Sequence, residues 1–411
     1  MHTDRDMRPV EDVHPVSVII AGQRFDYPHG FGATARVHAY ARGLIECGAR
    51  VVVVSLLTPP LDGDAKDNDL ARGAFDGVPF EYACGTRVRA STFLRRRLLE
   101  AKVPIGFCRS VRGLGAQPGP KAIIAYTDQP AWIAFMALLA GLRGAKCVVE
   151  VCEMPLMHER GPLGAIQRWL QNALAYKLVD GFITISTCLD DYVHAHSSDS
   201  VPSIHVPVLV AASDSDTGAA RLPAVRPREI VYVGDLGHDD EILDLLAAFA
   251  LVAPHCSDVV LKLVGGTRPQ LMERLVARVA ELGLERRVVF AGRVQRACLP
   301  GLLSAASMLV LLRRDALFSR AGFPTKLGEY LASGRPVVVT ATGDIPRYLA
   351  HGVSAYLAPP GDPDSFATLM RHVLDHEKEA QVVGARGRLV AERLFDYQRH
   401  GRRLSAFIRG L

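Results

Sequence analysis

The stretch GFPTKLGEYLASGRPVVVT, Gly322 to Thr340, sets a proline, a threonine and a lysine at a helix start and a glutamate one turn further on. Leu327, Tyr330 and Leu331 recur at helical spacing, Gly334 suits the position just past a helix, and Pro336 bars its continuation. A helix N-terminus carries unpaired N–H groups and about half a positive charge, so it receives phosphate. Pro324 loses nothing in the first turn, where its missing donor would go unused. Thr325 and Lys326 add a hydroxyl and an ammonium at the same point. Glu329 lies roughly 6 Å along the axis from Thr325, within reach of a ribose diol and clear of a phosphate at the tip. Lys326 and Glu329 therefore read as a nucleotide-diphosphate site. The plain alternative is a pair of solvated helix charges.

GFGATA (30–35) matches the dinucleotide pattern G-x-G-x-x-A. That motif should follow its strand almost at once, yet QRFDYPHG separates Gly22 from Phe31. No acidic ribose ligand ends the second strand either, so NAD is disfavoured. Gly30, Phe31 and Gly32 instead read as a loop whose backbone N–H groups can approach a phosphate or sugar. VVEVCEMP ends a strand and brings Glu150 and Glu153 towards a cleft, with Cys152 facing away from Glu153. AYTDQP offers Asp128 in the same way. Such carboxylates also cap helices. Metal motifs fail: DSD (214–216) sits in a linker, His194 and His196 face different ways, and His158 and Glu159 lack a second histidine. No metal and no cofactor is expected.

These residues need a scaffold, and the chain supplies one. Strands at 16–22, 50–57, 121–126, 146–152 and 181–186 are continuous apolar runs with helices between them, which predicts a parallel sheet covered on both faces. Residues 1–15 read as disordered, and 16–206 as the first domain. Residues 207–229 are polar, proline-bearing linker. A second alternating series follows, with strands at 230–234, 259–265, 287–292, 308–312, 336–340 and 354–359. The second domain spans 230–385, and 386–411 reads as a C-terminal helix returning to the first. The fold class is α/β: two Rossmann-like, doubly wound domains facing across a cleft that holds the ligand.

The 411 residues are 49% hydrophobic and 22% charged, with net charge +5, which fits an anionic small ligand and gives no support for nucleic acid. Eight scattered cysteines without a C-x-x-C pair predict reduced, mostly buried thiols in a cytoplasmic protein. The first 15 residues have no apolar core, so no secretory signal is expected. AWIAFMALLAGL (131–142) is too short to span a bilayer and reads as a buried helix. From Arg87 to Lys121 there are nine Lys or Arg and one acid, with Phe93, Leu94 and Leu98 beside Arg95, Arg96 and Arg97. That composition fits an interfacial helix on the anionic inner face of a membrane, or a solvated basic face.

The segment 323–362 resembles the donor-binding segment of family 4 glycosyltransferases, which have the GT-B fold. GFGATARVHAYARGLIECGARVVVVSL (30–56), LVDGFITISTCLDDYV (178–193) and IVYVGDLGHDDEILDLLAAFALV (230–252) resemble further parts of that family. The resemblance implies a retaining transferase that takes a UDP- or GDP-linked sugar to a glycan, lipid-linked or small-molecule acceptor. It implies donor contacts at Gly234, Arg293, Val294, Gly322, Phe323, Pro324, Thr325, Lys326 and Glu329. Polar groups at Glu153 and Asp128 would face the acceptor. Two departures matter. The family's first glutamate is replaced by Ala321, and its diphosphate-binding Arg and Lys by Asp235, His238 and 239–241. Diphosphate binding then shifts to Lys326, Thr325 and Arg313 or Arg314. The rivals are a nucleotide-sugar epimerase and a non-catalytic nucleotide-sugar-binding subunit.

Overall fold

A computed structural model describes residues 14–30, 32–56, 70–86, 92–155, 161–211, 228–237 and 239–411. Phe31, 87–91, His158, Glu159, 214–216 and His238 lie outside these residues. Two sheets organise the chain. The first is formed by β1 (Ser17–Gly22), β2 (Arg50–Ser55), β3 (Arg72–Phe75), β4 (Val78–Tyr82), β5 (Lys121–Tyr126), β6 (Lys146–Val151), β7 (Gly181–Thr184) and β8 (Ser203–His205). Its order is β3-β4-β2-β1-β5-β6-β7-β8, parallel throughout except for the β3–β4 pair. Central strands are buried on both faces, which is why VSVII and KAIIAY show no alternation.

The second sheet comprises β9 (Arg228–Val233), β10 (Val259–Val264), β11 (Val288–Gly292), β12 (Met308–Leu311), β13 (Val337–Thr340) and β14 (Tyr356–Ala358). Its order is β11-β10-β9-β12-β13-β14, with every pair parallel. In each sheet the order reverses beside the first strand, between β1 and β5 and between β9 and β12. Those switch points open crevices at the carboxyl ends of the strands.

Several sequence expectations need correction. The β3–β4 hairpin and β8 were not foreseen. The hairpin turn, Asp76-Gly77, has φ of 46° and 75°, as a two-residue type I′ turn requires, and Asp-Gly is its usual signal. The helix Pro130–Gly141 is not a buried helix. Ile133, Met136 and Ala140 face the core, while Leu138 and the following Leu142 are 61% and 68% exposed. Of the eight unpaired cysteines only Cys84, Cys147 and Cys256 are buried. Glu150 does not face a cleft. It lies in the core, where its carboxylate accepts from Arg36 Nε at 2.7 Å and Tyr40 Oη at 3.0 Å. Among the described residues no helix is long and apolar enough to cross a membrane.

The domains are tied together at three places. Val210 N donates to Phe395 O at 2.9 Å, and Tyr397 N to Val210 O at 3.2 Å, where the chain crosses back. The helix Glu377–Leu394 packs on the second domain, and the helix Tyr397–Gly410 packs on the helix Gly32–Glu46 of the first, their backbones meeting at Gly43 and Gly401. Phe323, Tyr348 and Phe395 form an aromatic cluster beside this crossing, with centroids 5.2–5.6 Å apart. Finally, Ser186 and Thr187, which open the helix Thr187–His196, bond to the second domain at Ala321 and Asp344.

Candidate active site

Pro324 precedes the helix Thr325–Ala332 as its cap, with φ −70° and ψ 114°, so the helical turn starts one residue later than the sequence implied. The helix points its start at the end of β9. Lys326 Nζ donates to Tyr232 Oη at 2.9 Å and stands 4.5 Å from the centre of that ring. A Cβ added at Gly234 would lie 2.1 Å from the ammonium nitrogen. The cation therefore rests in the space that the missing side chain leaves, directly over the backbone at the β9 switch point.

One turn along, Glu329 Oε1 accepts from Arg296 Nη2 at 3.2 Å. Burial raises the Glu329 pKa, and Arg296 and Lys326 draw it back. Arg293 packs over Gly266 at the end of β10, with Nε 3.0 Å from where a Cβ would stand, and Val294 next to it is half-buried. The glycine-rich loop meets this helix across the cleft: a Cβ on Gly32 would lie 3.0 Å from Thr325 Oγ1. Gly30 is pressed against Thr34 and Asp26.

The two arginines after β12 behave differently from a phosphate ligand pair. Arg314 is held by Asp244 at 2.6 Å and Asp240 at 3.1 Å. Arg313 is buried beneath the segment leading to Gly322, and its Nη1 donates to Ser319 O at 3.2 Å. Two acids near the start of the helix Asp239–Val252 are thus engaged by Arg314, while Lys326 supplies a cation at the Gly234 backbone. Phe323 turns its ring into the interdomain cluster, leaving the backbone of Gly322–Pro324 at the cleft.

Across the cleft, Arg24 follows β1 and joins the two carboxylates singled out in the sequence. It bonds to Asp128 at the end of β5 and, through Nη1, to Glu153 beyond β6 at 3.2 Å. Glu153 is well exposed, with 62% of its side chain open to solvent, and Asp128 is largely covered. Thr127 Oγ1 donates to Gln23 Oε1 at 3.1 Å beside them. Among the described residues no three His, Cys, Asp or Glu side chains gather as a metal site. The sequence reading missed Arg24, Tyr232 and Arg296. Tyr232 could have been found, because it shares a strand face with Gly234. Arg24 and Arg296 belong to no pattern.

Two facing doubly wound domains, with polar groups at both switch points, define the GT-B architecture. Residues 31–209 match the family described as "Glycosyl transferase 4-like domain" and residues 227–376 match "Glycosyl transferases group 1". Each of the two domains thus matches a glycosyltransferase domain family. It is 31% identical over 140 residues to the mannosylfructose-phosphate synthase of Agrobacterium fabrum, a match spanning 34% of this chain and 30% of that protein. It is 25% identical over 236 residues to the glycogen synthase of Mycobacterium tuberculosis H37Rv, 57% of this chain and 54% of that one. The fold is shared with the sucrose-phosphate synthase of Thermosynechococcus elongatus, at TM-score 0.69 and 18% identity over 97% of this chain and 98% of the other. Anabaena HepE in complex with UDP-glucose matches at TM-score 0.67 and 16% identity over 96% and 100%.

Proposed function

We propose that the protein transfers a sugar from a nucleotide-diphosphate sugar, UDP- or GDP-linked, to a hydroxyl acceptor with retention of configuration. The observation that carries this reading is the Lys326 ammonium seated over the Gly234 backbone, beside the N-terminus of its own helix. An anion placed there meets a cation held by Tyr232 and the orphan N–H groups at the start of the helix. The diphosphate lies at Lys326 and Thr325, the ribose diol donates to Glu329, and the base extends towards Arg293 and Val294. The sugar faces the backbone of Gly322–Pro324, and the acceptor approaches from Arg24, Asp128 and Glu153.

In the reaction, the bond from the anomeric carbon to the phosphate oxygen breaks as the acceptor oxygen bonds to the same face. The hydroxyl proton passes to the departing phosphate. No protein nucleophile is needed. The protein's task is to neutralise the negative charge gathering on the diphosphate, which a preorganised ammonium does best in a water-poor cleft. The curated relatives act on phosphorylated and polymeric sugars by name, and HepE is known with UDP-glucose, which supports a sugar-nucleotide donor.

The test is a thermal-shift panel of nucleotide sugars followed by donor turnover. A cognate donor at a hundredfold excess over its Kd should add about 2.7 kcal/mol of stability. If no nucleotide sugar raises the melting point, the donor reading fails. Binding without turnover would favour a non-catalytic subunit, and epimer formation would favour an epimerase.

We propose also that the first domain meets anionic membrane through residues 87–121. Phe93 and Leu94 are 69% and 72% exposed at the start of the helix Phe93–Gly115, beside Arg95 and Arg97. Apolar side chains next to cations on one exposed helix suit an anionic lipid surface.

A further inference from the structure

A group of buried polar atoms beneath the segment 313–322 takes no part in binding phosphate or ribose as described above. Glu241, in the first turn of its helix, is 6% exposed, and its Oε1 is buried without a hydrogen-bond partner among the described residues. Ser319 Oγ and Thr342 Oγ1 are orphaned in the same way. Arg313, 9% exposed, stands among them: its N–H donates to Thr340 Oγ1 at 2.8 Å, its guanidinium to Ser319 O, and its face turns to Phe318. Burial lowers the Arg313 pKa, and Glu241 is the charge that most opposes that shift. Buried polar groups are nearly always satisfied, so the orphan oxygens of Glu241 and Ser319 beside Arg313 require an account.

Their place in the cleft supplies one. A Cβ at Gly322 would meet only Phe318 O at 3.1 Å and Arg313 Nη2 at 4.0 Å. With no side chain at Gly322, one guanidinium nitrogen of Arg313 lies just beneath that backbone. Along the donor, the ribose at Glu329 and the diphosphate at Lys326 define a direction. The sugar must continue past the diphosphate, towards the approach to the helix, where Gly322 and the end of β12 lie.

Resting on the nucleotide-sugar reading, we propose that Glu241, Arg313 and Ser319 form the subsite that reads a hydroxyl of the transferred sugar. The hydroxyl donates to Glu241 Oε1 and accepts from Arg313. A neutral sugar fits this pair. A uronate would set its carboxylate against that of Glu241. The carboxylate absent at Ala321 is then supplied from a different helix.

The experiment is titration calorimetry with UDP against UDP-glucose, and GDP against GDP-mannose, on the wild-type chain, Glu241→Gln and Gly322→Ala. Melting curves confirm folding. The wild type should bind a nucleotide sugar more tightly than the matching diphosphate. Both variants should lose about tenfold or more of sugar-nucleotide affinity while the diphosphate affinity holds within about twofold. Should Glu241→Gln fail to fold, Ser319→Ala, which removes the second unpartnered oxygen of the subsite, takes its place with the same two expected outcomes. A retained sugar preference overturns the subsite. Equal losses for diphosphate and sugar nucleotide overturn it too, because the role is then structural. A wild type that binds no diphosphate overturns the nucleotide-sugar reading itself, and this inference with it.

Discussion

Lys326 reaches from the first turn of its helix to Tyr232, 94 residues earlier, and its ammonium fills the space above Gly234. The phenol in turn donates to Asp235 O at 3.2 Å, which fixes the ring that positions the cation. Charge at the β9 switch point thus comes from the opposite side of the crevice floor, while Asp235 binds the N–H of Gly237.

Lys326→Met should lower turnover about 10²–10³-fold with the fold intact, because a preorganised group facing the diphosphate is lost. Lys326→Arg should rescue in part, its planar fork fitting the tight space differently. Gly234→Ala offers an independent check, since its methyl would displace the ammonium. Turnover with the cognate donor, read beside a melting curve, is the measurement. Folded variants of both residues with wild-type turnover would place the diphosphate elsewhere.

Glu329 should make nucleotide binding sensitive to acid. In the proposed site the ionised carboxylate would accept from the ribose diol, and burial raises its pKa above the usual 4.5. Protons therefore compete with ribose at a higher pH than they would at an exposed glutamate, and affinity falls as pH falls through that value. Glu329→Gln should bind the nucleotide ~1.5–3 kcal/mol more weakly and respond little to pH. Calorimetry across this range checks it. A wild-type Kd as flat as that of the variant rules out the assignment.

Asp344 holds the domains in register. Its carboxylate accepts from Thr187 N at 2.7 Å and Thr187 Oγ1 at 2.5 Å, at the N-terminus of a helix in the other domain. Asp344→Ala should cost about 1–3 kcal/mol, as a buried charged acceptor is lost, and should widen the distribution of domain separations. Small-angle scattering and denaturant unfolding test both. Superimposable curves for the two proteins would show that the contact does not set the domain arrangement.

His400 should contribute to acid unfolding. Burial lowers its pKa from 6.5 to about 4, and Arg403, Arg36 and Arg399 act the same way, while its bond to Leu394 O opposes them. The fold therefore favours the neutral ring. Its contribution is complete above about pH 6.5 and is lost as pH falls towards 4, up to about 3 kcal/mol. The unfolding free energy of the wild type should drop more steeply in this window than that of His400→Gln. Parallel slopes would exclude His400 as a source.

The exposed start of the helix Phe93–Gly115 should carry the chain onto anionic vesicles, and salt should release it. Co-sedimentation separates the possibilities. Equal sedimentation with neutral vesicles, or none with either, removes the membrane proposal.

The two doubly wound domains were legible in the sequence because their strands are unbroken apolar runs, a local property of a sheet covered on both faces. The donor helix was legible too, since its start, periodicity and stop all lie within 322–340. The sheet edges were harder: the hairpin at Asp76-Gly77 carried its turn signal, but its strands are short and only partly buried. Partners were decided by the tertiary structure alone. Nothing local joins Arg24 to Asp128 and Glu153, 104 and 129 residues on, or Arg314 to Asp244, 70 residues before. In the sequence, Asp235 and the acids at 239–241 stood where the resemblance implied diphosphate-binding cations; in the fold, Asp240 pairs with Arg314, which Asp244 also holds. Sequence pattern reports which face of an element is buried. Which charge meets which depends on how strands are ordered and how far each side chain reaches, and only the folded chain sets those distances.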